Sequence, residues 1–236
     1  YLDGPAGQAR FDFPNDLVVT SSGEVFVSEF LNHTIRRIAN GVVSTFAGNG
    51  TRGYNDGVGN EAGFNQPAGL ALDASGHLYV TEWNSHRIRK ITPEGRVSVL
   101  AGNIFPGSAD GVGARASFQR PDGIAVDPLG NVYVTENQGH SIRRISPDGR
   151  VVRIAGRAAV GAEDGYGLNA GFSSPGGICV DASGDLFVMD TGNHRLRKVT
   201  LLRPWVDPHS LGGTGTPDFG SEVSLEVTPE GVAPFT

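Results

Sequence analysis

The sequence predicts an all-β fold, a β-propeller of four-stranded antiparallel blades, and three observations carry that prediction. First, one pattern is written four times. Its proline falls at Pro14, Pro67, Pro121 and Pro175, its histidine at His33, His86, His140 and His194, and its Asp-Gly at Asp3, Asp56, Asp110 and Asp164. Each series steps by 53, 54 and 54 residues. A fixed period near that length means stacked supersecondary units. Second, the first three copies each hold four short β-type runs divided by turn residues, and the last holds three. Third, both faces of these runs carry apolar or long-stemmed residues, as expected of a sheet packed between two others. Four-stranded sheets repeated about an axis make a propeller.

In the second copy the runs are 69–73, 77–82, 87–92 and 96–101. Ala74-Ser75-Gly76, Trp83-Asn84-Ser85 and Pro93-Glu94-Gly95 separate them. Strands of five or six residues with turns this short form a meander. Asp73, Asp127 and Asp181 precede the first of these turns and suit acceptors for turn N–H groups. A longer segment, 48–67 in this copy, links one blade to the next. Phe11, Phe64, Phe118 and Phe172 recur in it and read as anchors that pin the loop between blades. Its Asp-Gly reads as a tight turn, with Asp bonding nearby amides.

The copies run over about 11–63, 64–117, 118–171 and 172–203, within a propeller region of 1–203. The last copy has only three runs, so three full blades and a three-stranded fourth are expected, to be completed by further blades or another chain. Residues 204–236 read as a Pro/Gly linker. Residues 221–228 (SEVSLEVT) alternate like a strand. They suit either the missing fourth strand or, the preferred reading, the start of an Ig-like domain.

The net charge of −6 argues against a nucleic-acid groove. The single cysteine, Cys179, lies between Ile178 and Val180 and reads as a small buried hydrophobe. No apolar run approaches the roughly 18 residues of a spanning helix. The chain starts at Tyr1, so nothing can be read about a leader.

Around the repeated histidine the chain reads Asn32-His33-Thr34, Asn84-Ser85-His86, Gln138-Gly139-His140 and Asn193-His194-Arg195. With Phe64-x-x-Pro67-x-Gly69 upstream, this resembles the NHL repeat, in its variety with long Asp-Gly loops, over residues 1 to about 200. The resemblance implies a propeller, commonly of six blades. It also implies a binding or scaffolding platform, although some related propellers are lyases, lactonases or strictosidine-synthase-like enzymes.

One histidine per blade is too widely spaced for a single metal. A structural hydrogen-bonding role is expected, with no metal and no cofactor. Glu29, Glu82, Glu136 and Asp190 end the second strands, and Arg36, Arg89, Arg143 and Arg197 lie on the third. Each pair should meet across its hairpin as a structural ion pair. Function is expected from the residues that do not repeat. Phe30, Leu31, Trp83, Asn84, Asn137 and Gln138 fall on one set of turns, with Asn15 and Asp122 beside the channel. Large apolar groups there suit a protein or glycan partner. Asn32 and Asn49 begin glycosylation sequons, a hint of secretion. The reading is a non-enzymatic interaction or scaffold module of a larger extracellular or cell-surface protein. The alternatives are a structural repeat completed by other chains in a polymer and a lyase- or lactonase-type enzyme.

Overall fold

The computed structural model describes residues 1–201. The linker and strand read at 204–236 lie outside the described residues. Four antiparallel sheets follow one another along the chain as the blades of a β-propeller. Blade one holds Pro14–Val19, Val25–Glu29, Thr34–Ala39 and Val42–Ala47. Blade two holds Pro67–Leu72, Leu78–Glu82, Arg87–Ile91 and Arg96–Gly102. Blade three holds Pro121–Val126, Val132–Glu136, Ser141–Ile145 and Arg150–Ala155. Blade four has three described strands, Pro175–Val180, Leu186–Asp190 and Arg195–Val199.

The long loops do more than connect. Gly4–Pro5, Gly57–Val58 and Gly111–Val112 each pair with the fourth strand of the blade that follows them. The Asp-Gly loop therefore supplies a fifth, outermost strand to the next sheet. First turns form as their chemistry dictates: Asp73 Oδ1 accepts from Ser75 and His77 amides, and Asp127 and Asp181 repeat the arrangement.

First strands lie innermost and approach backbone to backbone. A Cβ on Gly69 would overlap the Asp122 carbonyl oxygen, and one on Gly123 would overlap that of Gly176. Only glycine permits this approach. A hydroxyl on the second strand then clamps the next blade: Ser28 donates to Ala68 O at 2.5 Å, Thr81 to Asp122 O at 2.6 Å and Thr135 to Gly176 O at 2.6 Å. Thr135 also accepts from the Gly123 amide at 2.9 Å. Thr135→Val should therefore cost about 1–3 kcal/mol, since both groups stay buried without a partner. Urea unfolding would reveal it as a lower midpoint at constant slope. A wild-type midpoint would mean the clamp carries no weight.

Apolar cores fill the gaps between blades. Phe26 and Ile35 of blade one meet Phe64, Leu70 and Val80 of blade two. Tyr79 and Ile88 of blade two meet Phe118, Ile124 and Val134. Tyr133 and Ile142 of blade three meet Phe172, Leu186 and Val188. The outward faces of the terminal blades stay exposed: Leu17 is 57% and Met189 56% accessible. Cys179 belongs to the outward face of blade four and is exposed, which corrects the expectation of a buried thiol. Its counterparts Ala71 and Ala125 are buried under a following blade, and no described blade covers Cys179.

Candidate binding face

The face that carries the non-repeated side chains is held by the repeated ones. Arg36, Arg89, Arg143 and Arg197 are fully buried on the third strands. They meet Glu29, Glu82, Glu136 and Asp190 at 3.0, 3.3, 3.2 and 2.8 Å. Each guanidinium also reaches the loop. It pairs with Asp3, Asp56, Asp110 or Asp164, the last three at 2.8 Å. It also lies 5.0–5.3 Å above the ring of Phe11, Phe64, Phe118 or Phe172. The Asp of the Asp-Gly pair is thus the second carboxylate on a buried arginine rather than a local turn acceptor. The strand-two acid completes the grip by accepting the amide that follows each Phe, at 2.7–2.8 Å. Blade two adds Arg87, 3.1 Å from Glu82.

The histidines link blades. His33, His86 and His140 accept through Nδ1 from the amides of Gln66, Arg120 and Ser174 in the following blade, at 3.1, 3.2 and 3.1 Å. An accepting Nδ1 carries no proton. Burial accordingly lowers the pKa of His33 and His86, assisted by the charges of Arg52 and Arg120 respectively. Each of the four histidines sits at positive φ, 49–58°.

Turns between second and third strands lie against the residues that enter the first strands. Phe30, Trp83, Asn137 and Gly192 amides donate to the carbonyls of Phe13, Gln66, Arg120 and Ser173. On this shared face the side chains form a ridge that crosses blades. Phe13 and Phe30 have ring centroids 5.8 Å apart, and Phe30 and Trp83 meet edge to face at 6.4 Å. Arg120 of blade three lies 5.5 Å above the Trp83 ring. Phe13 is 58% accessible and Leu31 50%, while Phe30, Trp83 and Arg120 are half-buried. Asn84, Gln138 and Asn15 are exposed and Asn137 is half-buried. Phe13 and Arg120 extend the ridge beyond the residues singled out from sequence. Each precedes its blade's proline, which is the signal that finds them.

Toward the axis lie two carboxylates. Burial pushes Asp122 up to about 6, opposed by a bond from Asn137 and reinforced by the charge of Asp16. Asp16 is also raised by burial, against bonds from the Leu70 and Leu17 amides. Sequence reasoning passed over Asp16, although it stands where the other copies have Gly69, Gly123 and Gly177.

Of the two sequons, Asn32 is buried, and its amide donates to Glu29 and Thr34. That nitrogen is inaccessible in the folded chain, which removes Asn32 from the glycosylation candidates. Asn49 is exposed and caps its own loop by accepting from Thr51.

Repeated blades, a buried Arg-carboxylate-Phe grip and interblade histidines together define a tandem-repeat β-propeller. The chain belongs to the NHL-repeat family, whose NHL repeat model matches residues 64–91, 118–145 and 172–199. It is similar to the protein SUPPRESSOR OF QUENCHING 1, chloroplastic, of Arabidopsis thaliana, with 33% identity over 70% of this chain and 17% of that one. It is 31% identical to human NHL repeat-containing protein 2 over 70% of this chain and 25% of the relative. The chain thus spans a quarter or less of these two relatives. Among solved structures, virginiamycin B lyase from Staphylococcus aureus superposes with a TM-score of 0.55 at 20% identity, over 78% of this chain and 51% of the lyase. That likeness is one of fold. No helix among the described residues is long and apolar enough to cross a membrane.

Proposed function

We propose that this chain is a non-enzymatic interaction module of an extracellular or cell-surface protein and binds a protein or glycan across the Phe13–Phe30–Trp83–Arg120 ridge. The observation that carries the reading is the ridge itself. A scaffold that repeats its buried residues four times departs from repetition here, with accessible aromatics flanked by Leu31, Asn84 and Gln138. Aromatic and arginine side chains are the usual anchors of interfaces. Sugar rings also stack on such surfaces, with Asn and Gln to bond their hydroxyls.

With Trp205→Phe, Trp83 becomes the sole tryptophan, and its fluorescence can be titrated with defined glycans and peptides. Trp83→Ala should weaken whatever binds by about 2 kcal/mol, roughly 30-fold, without lowering thermal stability by a comparable amount. A ligand held equally well by Trp83→Ala and Leu31→Ala would defeat the assignment of the face.

A second reading, a propeller lyase or lactonase, draws on Asp122, whose carboxyl is pushed up to about 6 by burial and by the charge of Asp16. It requires Asp122→Asn to abolish turnover of a lactone or lyase substrate. A third draws on the exposed faces of blades one and four, which suit a structural repeat completed by other chains.

A further inference from the structure

We infer that His33 and His86 form an acid-operated latch beneath the ridge. An Nδ1 that takes up a proton can no longer hold the next blade's amide, so mild acid breaks the line of ridge side chains and sheds what it binds at neutral pH. This names the regulation of the proposed binding face, and it rests on that reading only for the ligand. The ridge crosses two seams between blades. Phe30 meets Trp83 across the first, and Trp83 meets Arg120 across the second. One histidine bond lies under each crossing. His33 Nδ1 accepts from the Gln66 amide at 3.1 Å, and the Gln66 carbonyl accepts from the Trp83 amide at 2.9 Å. His86 Nδ1 accepts from the amide of Arg120 itself at 3.2 Å. The two histidines thus hold the backbone of the residues that align the ridge.

What they hold is strained. Gln66 sits at φ 58° and Arg120 at φ 51°, in the left-handed region that neither residue favours. Such a backbone persists only where its surroundings fix it, and the bond to the histidine is one of those restraints. Its loss leaves a part-buried N–H without an acceptor and a strained residue less firmly held. Both consequences fall on the joints between ridge members, while the apolar cores between blades stay packed.

The surroundings set the latch to open only in acid. Burial is the main cause that lowers both histidines from the ordinary 6.5; Arg52 and Arg120 add to it, and Glu82 opposes it at His33. The nearby carboxylates are already engaged: Glu29 by Arg36, Glu82 by Arg89 and Arg87, and Glu136 by Arg143 and Ser141. A base whose folded pKa is lowered contributes fully above its unfolded value and loses that contribution as pH falls through the folded one. The latch is therefore closed at neutral pH and opens below about 6.5. Asp122, two residues from Arg120, is itself pushed up to about 6, chiefly by burial. Histidine variants leave it intact, so any response of Asp122 survives in them.

The test needs no ligand. In the Trp205→Phe protein, Trp83 emission should change in one step between about pH 7.5 and about pH 5, with a midpoint below about 6.5. Nitrogen NMR should show the His33 and His86 rings gaining their second proton over the same step. Protection of the Gln66 and Arg120 amides against hydrogen exchange should fall at least about tenfold across it. Asparagine tolerates positive φ and offers an oxygen near the place of Nδ1 that does not titrate. In the doubly substituted His33→Asn, His86→Asn protein the step should therefore disappear and the protection stay level. His140→Asn, at the seam beyond the ridge, should keep the full step. A step that persists in the double variant overturns the inference, since it would belong to Asp122 or to acid unfolding. So does a step that His140→Asn removes, or a pair of rings that stay neutral at about pH 5. None of these results touches the face itself, whereas a ligand indifferent to Trp83→Ala would remove the face and leave the latch.

Discussion

Arg143→Ala is expected to lower the unfolding free energy by about 3–5 kcal/mol, the cost of leaving a buried charge without its partner. The reasoning starts at Glu136, which is fully buried at the end of a second strand. Its Oε2 accepts from Arg143 and from Ser141. Removing the guanidinium leaves the hydroxyl and one amide to hold the carboxylate. It also frees Asp110, half of whose side chain already faces solvent and can be hydrated. The loss therefore falls on Glu136. By contrast, Arg157→Ala should leave the urea midpoint unchanged, since Arg157 and Glu163 are both exposed.

The pH dependence follows from the sign of the Glu136 shift. Burial raises its pKa above the ordinary 4.5, and Arg143 is the largest influence pulling it back. Without Arg143 it rises further. A carboxyl with a raised folded pKa contributes fully below its unfolded pKa, and that contribution is lost as pH rises through the folded value. The deficit of Arg143→Ala should thus be small near pH 4.5 and grow toward neutrality. A deficit that does not vary across this range would mean that Glu136 is not the group left stranded.

The blade architecture was legible because periodicity needs no long-range information. Pro, His and Asp-Gly at a fixed step give the number of blades, and short Gly-containing turns give the meander. The Glu-Arg hairpin pairs were legible for the same reason, since their partners lie seven residues apart. Asp56 as a partner of Arg89 was not, because the two are 33 residues apart and a loop Asp-Gly has an adequate local explanation. Nor was the ridge readable as a ridge. Phe30 and Trp83 belong to different blades, and only the curvature of the assembly brings Phe13, Phe30, Trp83 and Arg120 into one line. Asp16 was visible as a departure from glycine, but not as a carboxylate beside Asp122. Cys179 was misjudged because burial of its strand depends on a neighbour and not on its own apolar sequence.

Phe118→Ala should cost about 3–5 kcal/mol, as large-to-small changes of fully buried aromatics do. The ring is wholly inaccessible and packs with Ile88 and Ala101 of blade two and Val134 of blade three. It also lies 5.1 Å beneath the Arg143 guanidinium, so two contributions are lost together. Phe118→Leu separates them. It keeps most of the apolar volume and removes the ring face, and should cost less than the alanine change by the difference in cavity. What remains is the arginine-ring contact, about 0.5–2 kcal/mol in a desolvated site. A double-mutant cycle of Phe118→Leu with Arg143→Ala should then show coupling of at least about 0.5 kcal/mol, because the second change removes a contact that the first has already broken. Urea unfolding of the four proteins measures it. Strict additivity would mean that Phe118 acts only by filling the gap between blades and that the loop is held to the third strand by the ion pair alone. Since Arg36, Arg89 and Arg197 stack on Phe11, Phe64 and Phe172 in the same way, the result in blade three decides how every loop on the binding face is anchored.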